Sequence, residues 1–175
     1  MPFTPYHFGP SGLLGLMFRR WLDLPVFVLA NVVVDIEVLV IWRLRLGWPV
    51  HRYAHTFLLG AAVALAWALV AYMARPVFKW TMQLLRIPYE TGFLKILISA
   101  VLGVWLHVLI DAIYHYDVKP FWPYRMNPLW QLLSHSQVLW ICGLSFVAAF
   151  VLYLFAVRSF NRKRLPPPSD TTGNS

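Results

Sequence analysis

A carboxylate near the end of a long apolar run is the feature that most narrows what this chain can fold into. The run begins near Phe93 and continues to about Tyr114, long enough to cross a bilayer, which takes about 20 predominantly apolar residues. Yet His107 and Asp111 lie in its last third, with His115 just beyond. Their spacing of four places all three on one stripe of a helix. Ionisable side chains inside a membrane are costly unless they face a bundle interior and find partners there. The chain must therefore surround that stripe with other helices. An imidazole and a carboxylate one turn apart can converge on one cation, although a lone H-x-x-x-D also arises as a plain buried hydrogen bond.

The rest of the chain supplies the helices. Charged residues make up only 13% of the sequence and hydrophobic residues 59%, with a mean hydropathy of +0.61, against about 25% charged in soluble domains. The expectation is an all-α, polytopic membrane bundle of about four spans, forming one domain over residues 1–164. The other spans are read as Leu24 to about Trp42, His55 to Ala74 and Ser136 to Val157. Short apolar helices over Gly12 to Phe18, with Ser11 as cap, and Val77 to Ile87 are too short to cross and should lie at the interface or dip in. Asp117 to Pro128 reads as an ordered aromatic loop at interface depth, and residues 165–175 as a disordered tail.

The net charge of +8 does not point to nucleic acid, because the basic residues cluster between apolar runs, where they mark topology and meet anionic lipids. Ten of the fifteen Lys and Arg fall on one side of a four-span arrangement, so both termini are expected in the cytoplasm. The first residues lack the charged start and small-residue cleavage site of a signal peptide. The single Cys142 excludes an internal disulfide or thiolate cluster and reads as a small buried hydrophobe.

Placing the polar residues against these spans brings a pattern forward. Asp35 lies in the second half of the first span, His51 and His55 at the start of the second, and His107 and Asp111 late in the third. Asp35, His55, His107 and Asp111 therefore share one layer near the outer face. This favours a buried metal site or a proton-handling cluster over scattered polar leftovers.

The order Met1-Pro-Phe-Thr-Pro-Tyr-His7, Val34-Asp35-Ile-Glu37, His51-Arg-Tyr-Ala-His55-Thr56, His107-Val-Leu-Ile-Asp111 and Pro120-Phe-Trp-Pro123 resembles bacterial inner-membrane proteins labelled membrane-bound metal-dependent hydrolases, the YdjM-like proteins among them. That family is in turn similar to zinc-dependent phospholipase C and the fungal single-strand nucleases. The resemblance covers residues 1 to about 128 and implies His7, Asp35, His55, His107 and Asp111 as ligands of a divalent metal, zinc by expectation, in a bacterial inner membrane. Related sequences commonly have Pro-Asp-x-Asp where this chain has Val34-Asp35-Ile-Glu37, so the helix is expected to run on. A second H-x-x-x-D is missing, which points to one metal, or two at most.

A metal there would suit phosphoester hydrolysis, with lipids or lipid-linked phosphoesters the substrates nearest to hand. Glu37 or Asp117 is the expected general base, His51 and His115 stand behind the ligands, and Arg52 or Lys119 is placed to hold a phosphate. The same polar cluster would also serve a small transporter or proton/metal conduit, or a structural subunit using it as glue between helices.

Overall fold

The computed structural model describes residues 4–162; the expected disordered tail at 165–175 lies outside them. The described residues are helical throughout their regular structure. A 3-10 turn over Thr4–His7 leads into α1 (Phe8–Met17), followed by α2 (Leu24–Arg43), α3 (Phe57–Met73), α4 (Arg75–Leu84), α5 (Phe93–Tyr114) and α6 (His135–Arg162).

Helix α5 is the centre of the bundle, packed between α2 and α3, while α1 lies along α6 and also touches α2. Side chains four apart explain the packing. Ile96, Ala100, Val104, Val108 and Ala112 form one fully buried row on α5, and Ser99, Gly103, His107 and Asp111 form the buried row beside it. On α2, Val26, Ala30 and Val34 answer them. Gly103 is the closest approach: a Cβ there would stand 2.6 Å from the Phe27 carbonyl oxygen and 2.7 Å from Ala30 Cβ. Small residues of this kind let membrane helices meet at backbone distance. Away from these rows the surface is greasy, with Trp140, Leu144, Val147 and Phe150 exposed along α6, as suits a helix facing lipid.

Among the described residues, three helices, α2, α5 and α6, are long and apolar enough to cross a membrane; the count becomes four when α3 and α4, bent by 71° at their junction, act as one span. Helix α3 alone has 17 residues, roughly 25 Å at 1.5 Å per residue. Pro76 in the first turn of α4 starts the new helix, since proline fits there and not within α3. Only Phe78 and Met82 of α4 are buried, the amphipathic form expected at an interface.

The first helix differs from expectation. Ser11 is not its cap but lies inside it, its hydroxyl donating to the His7 carbonyl at 2.7 Å. The helix begins a turn earlier, with Gly9, Pro10, Ser11 and Gly15 buried, so it is a half-length helix packed into the bundle. Its start carries His7 into the interior, where that side chain is 2% exposed. Cys142 is buried on α6, as expected.

Candidate metal centre

The site forms where the second half of α2, the segment before α3 and the last turns of α5 meet. Helix α2 runs unbroken through Asp35 and Glu37. The segment before α3 tucks His51, Ala54, His55 and Thr56 into the interior, and Thr56 caps α3 by accepting from the Leu59 amide at 3.0 Å. The end of α5 presents His107 and Asp111 on its polar row. The Phe57 amide donates to the Pro120 carbonyl at 2.9 Å, tying the two outer segments to each other.

Asp35, His55, His107 and Asp111 each offer a ligand atom, and these atoms all lie within 4.8 Å of one another. His107 Nε2 is 3.4 Å from Asp35 Oδ1 and 3.2 Å from Asp111 Oδ2. His55 Nε2 is 3.6 Å from the same oxygen of each. Ligand atoms about 2.1 Å from a tetrahedral centre stand roughly 3.4 Å apart. The four nitrogen–oxygen edges thus suit donors that share one ion. Asp35, half-buried with a side-chain exposure of 17%, faces this group as its position in an apolar span requires.

Close approach here falls short of hydrogen-bond geometry at several atoms. His7 Nδ1 and Nε2, His55 Nε2, His107 Nδ1 and Nε2, and Asp111 Oδ1 are all buried without a hydrogen-bond partner, although several lie within ion-pair distance of a carboxylate. Native interiors leave few such atoms unsatisfied. One ligand atom each from Asp35, His55, His107 and Asp111 lies close enough to the others for one cation to satisfy them together. Asp111 meets His7, His51, His55, His107 and His115 and, among the described residues, forms no ion pair with Lys or Arg. A buried His/Asp group able to hold a metal ion is therefore part of this fold.

His7 falls outside the four-membered cage. Its Nε2 is 3.0 Å from Asp111 Oδ1, the other oxygen of that carboxylate, and its ring stacks on His107 with centroids 4.2 Å apart. Burial, helped by neighbouring His107, lowers the His7 pKa to about 4, which keeps its imidazole neutral. The residue expected as a fifth ligand thus reaches Asp111 from the far side.

Glu37 has a different place from the one expected of a general base. Its carboxylate accepts the amides of Arg52 at 3.1 Å, Tyr53 at 2.7 Å and Ala54 at 3.1 Å, and lies 3.0 Å from His55 Nδ1. A carboxylate only accepts, so Nδ1 carries the proton and Nε2 is turned bare toward the cage. Burial opposes charge on His55, but its contacts with Asp35 and Glu37 outweigh this and raise its pKa. Asp117 repeats the device: Oδ2 lies 2.9 Å from His51 Nδ1 and accepts the His51 amide at 3.3 Å. Burial pushes the Asp117 carboxyl up, and its contacts with His51 more than reverse the effect, leaving its pKa below the usual range. Both expected bases are committed to orienting histidines, an arrangement common behind metal ligands.

Arg52 is also committed. Its guanidinium donates to the carbonyls of Pro49 at 2.9 Å and Leu46 at 3.0 Å, so it staples the 46–52 loop instead of awaiting a phosphate. Lys119 is exposed. His115 sits one residue past α5, its pKa lowered to about 4 by burial, with His51 adding to the effect.

Sequence reasoning missed a second polar hub at the opposite end of α2. Buried Asp23 caps that helix through the Val26 amide at 3.3 Å and accepts the Tyr89 hydroxyl at 2.8 Å and the Thr91 hydroxyl. The Asp23-Leu-Pro25 start, an acidic cap before a first-turn proline, was the available signal.

Compared with protein-family models, curated proteins and solved structures, the chain matches none of them.

Proposed function

We propose that this protein is a metal-dependent hydrolase of the bacterial inner membrane, acting on a phosphoester of lipid or lipid-linked type and related to the YdjM-like membrane-bound hydrolases. The observation that carries this reading is the set of four nitrogen–oxygen edges of 3.2–3.6 Å among Asp35, His55, His107 and Asp111. Two histidines and two carboxylates suit a zinc-like ion. A divalent cation held there would polarise a phosphoryl oxygen and make water acidic enough to attack near neutral pH.

The chain's own residues do the rest. Glu37 holds His55 in the tautomer that frees Nε2, and the apolar rows beneath the cage exclude water from below. Lys119 is the cation left to meet substrate phosphate, since Arg52 is occupied by the loop. A membrane conduit fits less well. Below the cage the interior narrows to Ala30, Ala100 and Val104, each fully buried, and Gly103 closes the gap between α2 and α5. Helix glue fits less well too, because glue would hydrogen-bond the buried nitrogens of His7, His55 and His107 that have no such partner here.

The test is metal content and turnover of a chromogenic phosphodiester by purified protein in detergent. His107→Ala and Asp111→Ala should each lose bound metal and hydrolysis while still inserting, because each deletes a ligand from a four-membered cage and leaves the apolar runs intact. His135→Ala, whose ring lies against Tyr114, should keep both. Equal trace metal in the wild type and both cage variants would end the hydrolase reading.

A further inference from the structure

The end of the bundle opposite the cage carries a charged cleft. Helix α3 starts beside the cage at Phe57 and ends at Met73, where the chain bends by 71° into α4. A cleft of about 450 Å³ opens at this bend, lined by Arg75, Pro76 and Lys79 on one side and by Tyr89, Glu90 and Thr91 on the other.

The wall at residues 89–91 is anchored from behind. Its two hydroxyls are committed to buried Asp23, which accepts from Tyr89 at 2.8 Å and from Thr91. The Glu90 carbonyl accepts from Lys95 Nζ at 2.9 Å. With those groups occupied, the Glu90 carboxylate is the charge this wall offers to the cleft. On the facing wall, Arg75 and Lys79 stand one helical turn apart on α4 and share a face. The Arg75 guanidinium sits over the Tyr72 ring, 4.1 Å from its centroid, a cation–π contact that holds it at the bend. Among the described residues every ion pair joins a histidine to a carboxylate, so neither cation is paired with Glu90. Two positive groups and one negative group thus border one cleft without neutralising one another. A ligand that satisfies all three carries an anion and a cation close together.

Helix α4 indicates what kind of molecule brings them. Phe78 and Met82 are buried against the bundle, whereas Val77, Trp80 and Leu84 are exposed on a separate face. One face therefore meets protein, one suits lipid, and the Arg75–Lys79 row is left at headgroup level. A phospholipid there sets its headgroup in the cleft and its chains along the apolar face.

We infer that this cleft binds a phospholipid whose headgroup joins a phosphate to a primary ammonium, with the phosphate on Arg75 and Lys79 and the ammonium on Glu90. Asp23 has a positioning role, fixing the wall that carries Glu90. The site does not depend on a metal in the cage. A headgroup with a phosphate alone would leave Glu90 facing a second negative charge, and a quaternary ammonium has no N–H to donate to it.

Native mass spectrometry of the full chain in detergent tests this, with phosphatidylethanolamine, phosphatidylcholine and phosphatidylglycerol of matched chains as probes. Phosphatidylethanolamine is expected to bind about tenfold or more tighter than the other two, the effect of one hydrogen bond to a charged group. Arg75→Gln and Lys79→Gln should each weaken all three lipids, because the phosphate is common to them. Glu90→Gln should abolish the preference while phosphatidylglycerol binds at least as tightly as before. Arg43→Gln, at the far end of α2, should change nothing. Equal affinity for the three lipids, or binding that survives both Arg75→Gln and Lys79→Gln, overturns the inference. So does displacement of the lipid by soluble phosphoethanolamine as readily as by the lipid itself, which would make this a site for a free small molecule. Arg75, Lys79 and Glu90 are all exposed, so the variants should fold; if a lowered melting temperature shows that one does not, the wild-type preference decides alone.

Discussion

Replacing Glu37 with Gln separates a residue that positions from one that reacts. The carboxylate receives the amides of residues 52, 53 and 54 and the His55 ring on two oxygens. Glutamine keeps one acceptor and turns an NH2 group toward donors it cannot satisfy. A hydrogen bond to a charged group contributes about 1.5–3 kcal/mol. With Glu37 only 16% exposed, water recovers little of that, so the metal-free protein should lose about this much stability. The larger consequence is at His55, which loses the partner that fixes its tautomer. Removing such an outer partner typically weakens metal binding 10–100-fold, about 1.4–2.8 kcal/mol. Competition with a chelator of known affinity measures the loss of metal binding, and thermal unfolding of the metal-free protein measures the loss of stability. A general base would behave differently: turnover would fall by about 10²–10⁴ while metal affinity stayed at the wild-type value. That outcome would refute the positioning role.

Two further substitutions and a fusion extend the reasoning to the rest of the fold. Asp23→Ala removes the cap of α2 and leaves the Tyr89 hydroxyl without its buried partner, which should cost about 2–4 kcal/mol and lower the melting temperature with metal content unchanged. Gly103→Leu should prevent α2 and α5 from approaching, and size-exclusion in detergent should then show aggregated or degraded protein. A reporter fused after Ser175 should behave as cytoplasmic, following the basic asymmetry; activity on the other side of the membrane would reverse the orientation.

How far the sequence reveals such a site depends on whether the information is local. The bounds of α5 are readable because its apolar run and flanking Gly92 are contiguous, and Phe93–Tyr114 is the span both expected and found. The meeting of Asp35, His55, His107 and Asp111 is readable because depth in a membrane is a one-dimensional coordinate, set by counting residues along each span. What residue types do not record is where a loop folds back. Glu37 looks like an idle base until the backbone of residues 52–54 is placed against it, and Arg52 looks like a phosphate holder until the carbonyls of 46 and 49 are. Ser11 looks like a helix cap because the Pro/Gly-rich lead before it suggests coil, whereas the helix packs against α6 and runs through Ser11, whose hydroxyl accepts from Asn31 of α2.

Acid should act in opposite directions on the metal-free and metal-loaded protein, and the reason lies in His55. Its ring faces Asp35, Glu37, Asp111, His107 and His51, and the balance raises its pKa above the usual 6.5. A group whose folded pKa is raised contributes stability that is fully present below its unfolded pKa and is lost as pH rises through the folded value. On this count the metal-free protein is more stable at pH 6 than at pH 9. Metal must displace that proton, so affinity should climb with pH across the same window, by about tenfold per unit for each proton released. His7 and His115, with values near 4, are already neutral there and release none. Thermal unfolding from pH 6 to 9, with and without zinc, should give two curves of opposite slope. Parallel curves would mean that no proton leaves when the ion enters, and that His55 is not one of its ligands.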